Sequence, residues 1–134
     1  MRHLALLLLV GCADSIVVTP PGCEAVGEGV LSFAEIEGDC GRLPNLEGVL
    51  DAGRIDTDPR GYRCVYRPER DDACGLAFEI TCEAMPPIGE LELVGALDLE
   101  GPGRWVGRAE RIVHPFEDRS MGCRSTYVVE ATSR

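Results

Sequence analysis

The sequence predicts an all-β domain: a small antiparallel β-barrel or sandwich of five to seven meander-connected strands, stapled by disulfides. Three observations predict it. Apolar and polar residues alternate over 76–83, 91–99 and 104–114, the period of half-buried strands. The turn formers Gly101-Pro102-Gly103 join two of these runs in a single consistent register. Six cysteines, Cys23, Cys40, Cys64, Cys74, Cys82 and Cys123, fall in the body of the chain, and no stretch sustains a helical period.

In chain order, residues 13–28 carry Pro20-Pro21-Gly22 and no usable periodicity, as a flexible tether would. A single β domain then occupies 29–134. Gly29 to Glu37 predicts the first strand, with Leu31 and Phe33 on one face and Val30 and Ile36 on the other. Gly38-Asp39-Cys40-Gly41 reads as a turn. From Leu46 to Ile55, helical spacing of Leu46, Val49 and Leu50 competes with Gly48 and Gly53, which disfavour a stable helix, so a weak strand is expected. Tyr62, Cys64 and Tyr66 share a strand face, and Pro68 to Asp72 reads as a polar loop.

Leu76, Phe78, Ile80 and Cys82 then alternate with Ala77, Glu79, Thr81 and Glu83 until Met85-Pro86-Pro87 ends the ladder. Leu91, Leu93, Leu97 and Leu99 form the next apolar face, interrupted by Gly95. A hairpin through residues 101–103 sets Leu99 opposite Trp105 and Leu97 opposite Gly107, with Glu100 facing Arg104 outside. Gly95 and Gly107 on the inner face predict bends, as in a barrel or a strongly coiled sheet. The last strand runs from Cys123 to Thr132, with Cys123, Tyr127, Val129 and Ala131 inward.

The N-terminal stretch has its own logic. Met1-Arg2-His3 carries one fixed positive charge, and Leu4 to Val10 is unbroken and apolar, far short of the roughly 20 residues that span a bilayer. It ends in Leu9-Val10-Gly11-Cys12, which resembles the lipobox of bacterial lipoproteins. The resemblance implies a signal peptide over 1–11, diacylglycerol on the Cys12 thiol, and acylation, such as palmitate, of the new amino terminus. It covers the first dozen residues and implies nothing about the domain. Two or more acyl chains give stable anchoring, so the membrane is the expected partner, with another envelope protein as a further one. The resemblance implies localisation in the bacterial cell envelope, the outer membrane being favoured over the inner because the Asp that retains such proteins at the inner membrane directly follows the Cys, and here Ala13 follows Cys12 and Asp14 comes one place later.

The chain's net charge is −10, and removing residues 1–11, with Arg2, leaves −11. Such a chain repels phosphate backbones, so no nucleic acid partner is expected. All 13 basic residues are arginines, scattered among carboxylates. Behind an export signal, six cysteines read as three disulfides with 15 connectivities. Cys23–Cys40, Cys64–Cys74 and Cys82–Cys123 are the expected pairs.

Catalytic and metal chemistry find little support. No C-x-x-C pair occurs, and His114 is the single histidine after Cys12. Asp56-Thr57-Asp58-Pro59-Arg60-Gly61 starts like a calcium loop, but Arg60 and Arg67 stand where oxygen ligands belong. His114 could serve a triad only with Ser120 or Ser125 and Asp118, and no nucleophile-elbow motif is present. The pairs Glu79/Glu83 and Glu90/Glu92 alternate with inward residues and so face solvent. No cofactor is expected. The domain reads as a non-enzymatic structural or protein-binding module, with a small barrel holding an apolar ligand as the alternative.

Overall fold

The computed structural model describes residues 19–56, 63–84, 88–115 and 122–134. The described residues form eight strands: β1 (Glu28–Gly38), β2 (Leu46–Val49), β3 (Arg54–Asp56), β4 (Cys64–Arg70), β5 (Leu76–Cys82), β6 (Ile88–Gly101), β7 (Arg104–Pro115) and β8 (Cys123–Ser133). All pair antiparallel in one sheet of order β3-β2-β1-β8-β7-β6-β5-β4. The all-β expectation holds. The count exceeds seven because 46–55, read as one weak strand, is a short hairpin that turns between Leu50 and Gly53.

Every pair of consecutive strands is hydrogen-bonded except β3 and β4, and β1 bonds β8 instead. The sheet curls into an open half-barrel whose seam lies between β3 and β4. Aromatic contacts measure the curl. Phe33 on β1 meets Phe78 on β5 edge-on at 6.5 Å between centroids, although three strands separate them in the sheet. Phe33 also meets Tyr127 at 6.2 Å, and Tyr66 meets Phe78 at 6.2 Å. Trp105, Tyr127, Leu31, Leu50, Leu76 and Val129 are fully buried. These side chains fill the inside of the curl.

The local expectations hold best where alternation is cleanest. Inward Leu76, Phe78, Ile80 and Cys82 are all buried. The β6–β7 hairpin adopts the expected register, Leu99 opposite Trp105 and Leu97 opposite Gly107. Its turn tightens to Pro102-Gly103, where Gly103 takes a φ of 65°, a region that disfavours side chains. Gly107 makes the close approach: a Cβ there would overlap the Ala96 carbonyl oxygen of β6. Leu99 lies on the inner face but at the rim, and is 44 % exposed. In β1, Ile36 falls at a bulge between Glu35 and Glu37 and points to solvent.

Pro68 to Asp72 is not a loop throughout: β4 runs on to Arg70. The Glu83 amide donates to Arg63 O, which sets the phase of the β4–β5 ladder. Residues 65, 67 and 69 then bond β5, while 64, 66, 68 and 70 direct their backbone groups to the free edge. Pro68 therefore forfeits no ladder bond, and it blunts the edge against further pairing.

None of the three expected disulfide pairs forms. The bridges are Cys23–Cys74, Cys40–Cys123 and Cys64–Cys82. One follows from a hairpin register, and the other two from contacts remote in sequence. Cys64 stands directly opposite Cys82 in the β4–β5 register, at a Cα separation of 4.0 Å. Cys40 follows the end of β1 and Cys123 begins β8, strands that pair over most of their length. Cys23 reaches across the seam.

Residues 23–27, expected as the far end of the tether, form a strap over that seam. Cys23 is bridged to the β4–β5 turn. The amides of Val26 and Gly27 donate to the Asp51 carboxylate at 2.7 and 3.2 Å, and Leu50 N donates to Gly27 O. Val26 itself is buried. The strap thus joins the two edges that the ladder leaves apart.

Candidate functional site

At the strap end of the half-barrel, the sheet leaves a cleft of about 380 Å³. Its walls include Glu24, Arg70, Cys74, Leu99, Pro102 and Trp105. Trp105 comes from the β6–β7 hairpin, Arg70 from the end of β4, and Cys74 from the β4–β5 turn.

That turn is built by Asp71, whose carboxylate accepts from Ala73 N at 3.0 Å and Gly75 N at 2.7 Å. It holds Cys74 at a φ of 65°, the sole non-glycine in that region among the described residues. The Cys74 carbonyl is thereby turned to accept from Trp105 Nε1 at 2.9 Å.

The Arg70 side chain is fully buried, and each of its three nitrogens has an acceptor. Nε donates to Gly75 O at 3.2 Å, Nη1 to Glu24 O at 3.1 Å and Nη2 to Cys74 O at 3.4 Å. Asp51 lies 3.9 Å from Nη1 across the seam. The guanidinium also sits 5.7 Å from the Trp105 ring centroid, within cation–π range. A buried charge is tolerated only when paired and hydrogen-bonded, and Arg70 meets both conditions. It ties β4, the strap and the Asp51 turn together. The cleft has room for a small apolar group, but its walls present no nucleophile beside a base.

Beneath the strap, the Tyr66 hydroxyl donates to Leu50 O. Burial first, and the charge of Asp51 second, push the Tyr66 phenol well above the ordinary tyrosine range. The sign follows by linkage. Below the unfolded pKa of about 10 the contribution to stability is whole; above it the unfolded tyrosine ionises while the folded one does not, so stability falls. Urea unfolding at pH 8 and pH 10.5 should show this loss, and Tyr66→Phe should lessen it while costing about 1 kcal/mol at pH 8. Equal alkaline losses in both proteins would mean that Tyr66 does not carry the effect.

The opposite end is polar but structural. Ser125 is buried, donates to Glu35 Oε2 at 2.6 Å and accepts from Cys40 N at 2.8 Å. Glu35 Oε2 also accepts from Gly41 N at 2.8 Å, and the Tyr127 hydroxyl donates to Gly41 O at 2.7 Å. Arg111 Nη1 reaches Cys40 O at 3.4 Å, and its Nε is buried without a partner among the described residues. These bonds fix the segment that carries Cys40.

The expected candidates do not converge. His114 is exposed and pairs with Glu92 at 3.0 Å, while Ser125 is bonded to Glu35. Glu79 pairs with Val94 and Arg67 on the outer face, and Glu83 and Glu90 are exposed. Cys12, residues 57–61 of the calcium-like stretch, Asp118 and Ser120 lie outside the described residues. Among the described residues, no three or more His, Cys, Asp or Glu side chains gather as a metal site would need. Sequence reading missed Arg70 and Arg111. Arg70 shares the parity of Cys64 and Tyr66, a signal lost by ending the strand at Pro68. Arg111 shares the parity of Trp105.

No protein-family model matches the chain, and no curated protein and no solved structure matches it.

Proposed function

We propose that the chain is a lipid-anchored lipoprotein of the bacterial cell envelope, and that its β domain is a non-enzymatic structural or protein-binding module. The anchor rests on Leu9-Val10-Gly11-Cys12, a thiol at the exit of a short apolar run. For the domain, the observation that carries the reading is its filled interior. Trp105, Tyr127, Leu31 and Phe78 occupy the space that a ligand would need, so the apolar-ligand alternative is the weaker one. Buried Arg70 and Ser125 are each engaged in holding segments together. An absence of enzymatic activity is consistent with His114 and Ser125 having separate partners.

Intact mass of the native protein, extracted in detergent and alkylated without reduction, tests this reading. The expected mass is that of residues 12–134 plus acyl chains, with no alkyl groups added. An unacylated mass would remove the anchor from the proposal, and alkylated cysteines would remove the three bridges.

A further inference from the structure

Cys23–Cys74 differs from the other two bridges in what it joins. Cys64–Cys82 links residues already opposed in the β4–β5 ladder. Cys40–Cys123 links the ends of two paired strands, and the bonds from Ser125, Glu35 and Arg111 hold Cys40 and Gly41 in place. Opening either leaves its thiols held face to face. Cys23 lies on the strap and Cys74 in the β4–β5 turn, with no ladder between them. The Cys23 amide bonds only to Pro20 O, across the turn that precedes the strap, and beside it a single Arg70 bond to Glu24 O reaches the domain. The ease of reducing a bridge depends on how strongly the remaining structure keeps its two thiols together, that is, on their effective concentration. By that measure Cys23–Cys74 is the weakest held. It also borders the cleft, where a small reductant can reach Cys74.

We propose that Cys23–Cys74 is a dithiol-sensitive latch, whose reduction frees the start of the strap from the seam and uncovers Arg70 and Trp105 while the sheet stays folded. The exchange balances without a further reactant. A thiolate of the dithiol attacks Cys74 Sγ, the Sγ–Sγ bond breaks, and Cys23 leaves as a thiolate. The second thiol of the dithiol then displaces Cys74 and closes its own disulfide. The dithiol loses two electrons and two protons, and the bridge becomes two thiols. The β4–β5 turn survives the step, because Asp71 holds it through Ala73 N and Gly75 N, and Cys74 N bonds Asp71 O. Glu24 at the start of the strap and Gly22 just before it, which wall the cleft, move away with Cys23. The latch requires no lipid on Cys12.

The test is a dithiothreitol titration of the full chain with its bridges formed, quenched by alkylation and mapped by mass. Trp105 is the only tryptophan, so its emission reports the cleft directly. Cys23 and Cys74 should be alkylated together, at about tenfold lower dithiol than the other four. Emission should shift to the red in step, with the far-ultraviolet β spectrum unchanged. Earlier or simultaneous labelling of another pair would overturn the proposal. So would labelling of Cys23 and Cys74 without an emission change, since the strap would then have stayed in place. The double variant Cys23→Ser/Cys74→Ser should show the red-shifted emission without reductant. An emission like that of the oxidised protein, or loss of the β spectrum, would contradict the latch.

Discussion

Replacing Trp105 by alanine is expected to cost about 3–5 kcal/mol, read as the drop in urea unfolding free energy. Trp105 is fully buried, and its ring lies beneath the Arg70 guanidinium. Its Nε1 also caps the Cys74 carbonyl. Alanine would leave a cavity between β7 and the strap and would take away one face of a buried cation. Domains of this size are stable by about 5–15 kcal/mol, so much of the margin would go. Trp105→Phe keeps most of the volume and gives up the Nε1 bond, whose acceptor retains Arg70 Nη2. Its cost should be about 1–2 kcal/mol. Equal costs for the two variants would mean that the polar contact, not the ring's packing, carries the site.

The second large effect is the loss of Cys40–Cys123. The bridge spans 83 residues, against 51 for Cys23–Cys74 and 18 for Cys64–Cys82. On loop-closure entropy alone the three are worth about 4.5, 4 and 3 kcal/mol. Cys40→Ser/Cys123→Ser should come near its full value, because the folded protein without the bridge gains little freedom there. Cys23→Ser/Cys74→Ser should fall well below its value, because the strap gains freedom in the folded state too. Chemical unfolding of the three double variants reads the order. If loss of Cys23–Cys74 costs the most, the strap is a foundation of the fold rather than an addition to it.

The contrast between those bridges also shows what could be read from the sequence. Period-2 alternation over Leu76–Cys82 and the charge pattern around Gly101-Pro102-Gly103 gave the strands and one hairpin register, because both are decided by neighbours in the chain. Connectivity is decided elsewhere. Pairing each cysteine with its next neighbour misses that Leu31 stands opposite Ala131, a contact that no local pattern signals. The strap was hidden for the same reason: Pro20-Pro21-Gly22 predicts an unstructured segment, and only the open seam gives Val26 somewhere to be buried. Arg70 was lost to a rule applied too simply. Proline ends a central strand, but at the edge of the sheet Pro68 points its nitrogen outward, and the strand continues to the residue that anchors the cleft. Of the candidate site, then, Trp105 was legible as an inward residue, and its partners were not.

The pairing of the first strand with the last imposes an order of events in time. Strands β4 to β8 can form hairpin by hairpin, each closing a short loop. β1 can meet β2 early, but its other edge stays open until β8 has been made and delivered. If the chain is exported amino end first, as the proposed lipoprotein would be, Cys23 and Cys40 emerge together, well before Cys74 and Cys123 arrive. Oxidation at that moment would join the two that are nearest in sequence, and that bond must be exchanged before the native set can form. Maturation of this domain would then be limited by disulfide isomerisation rather than by collapse of its core.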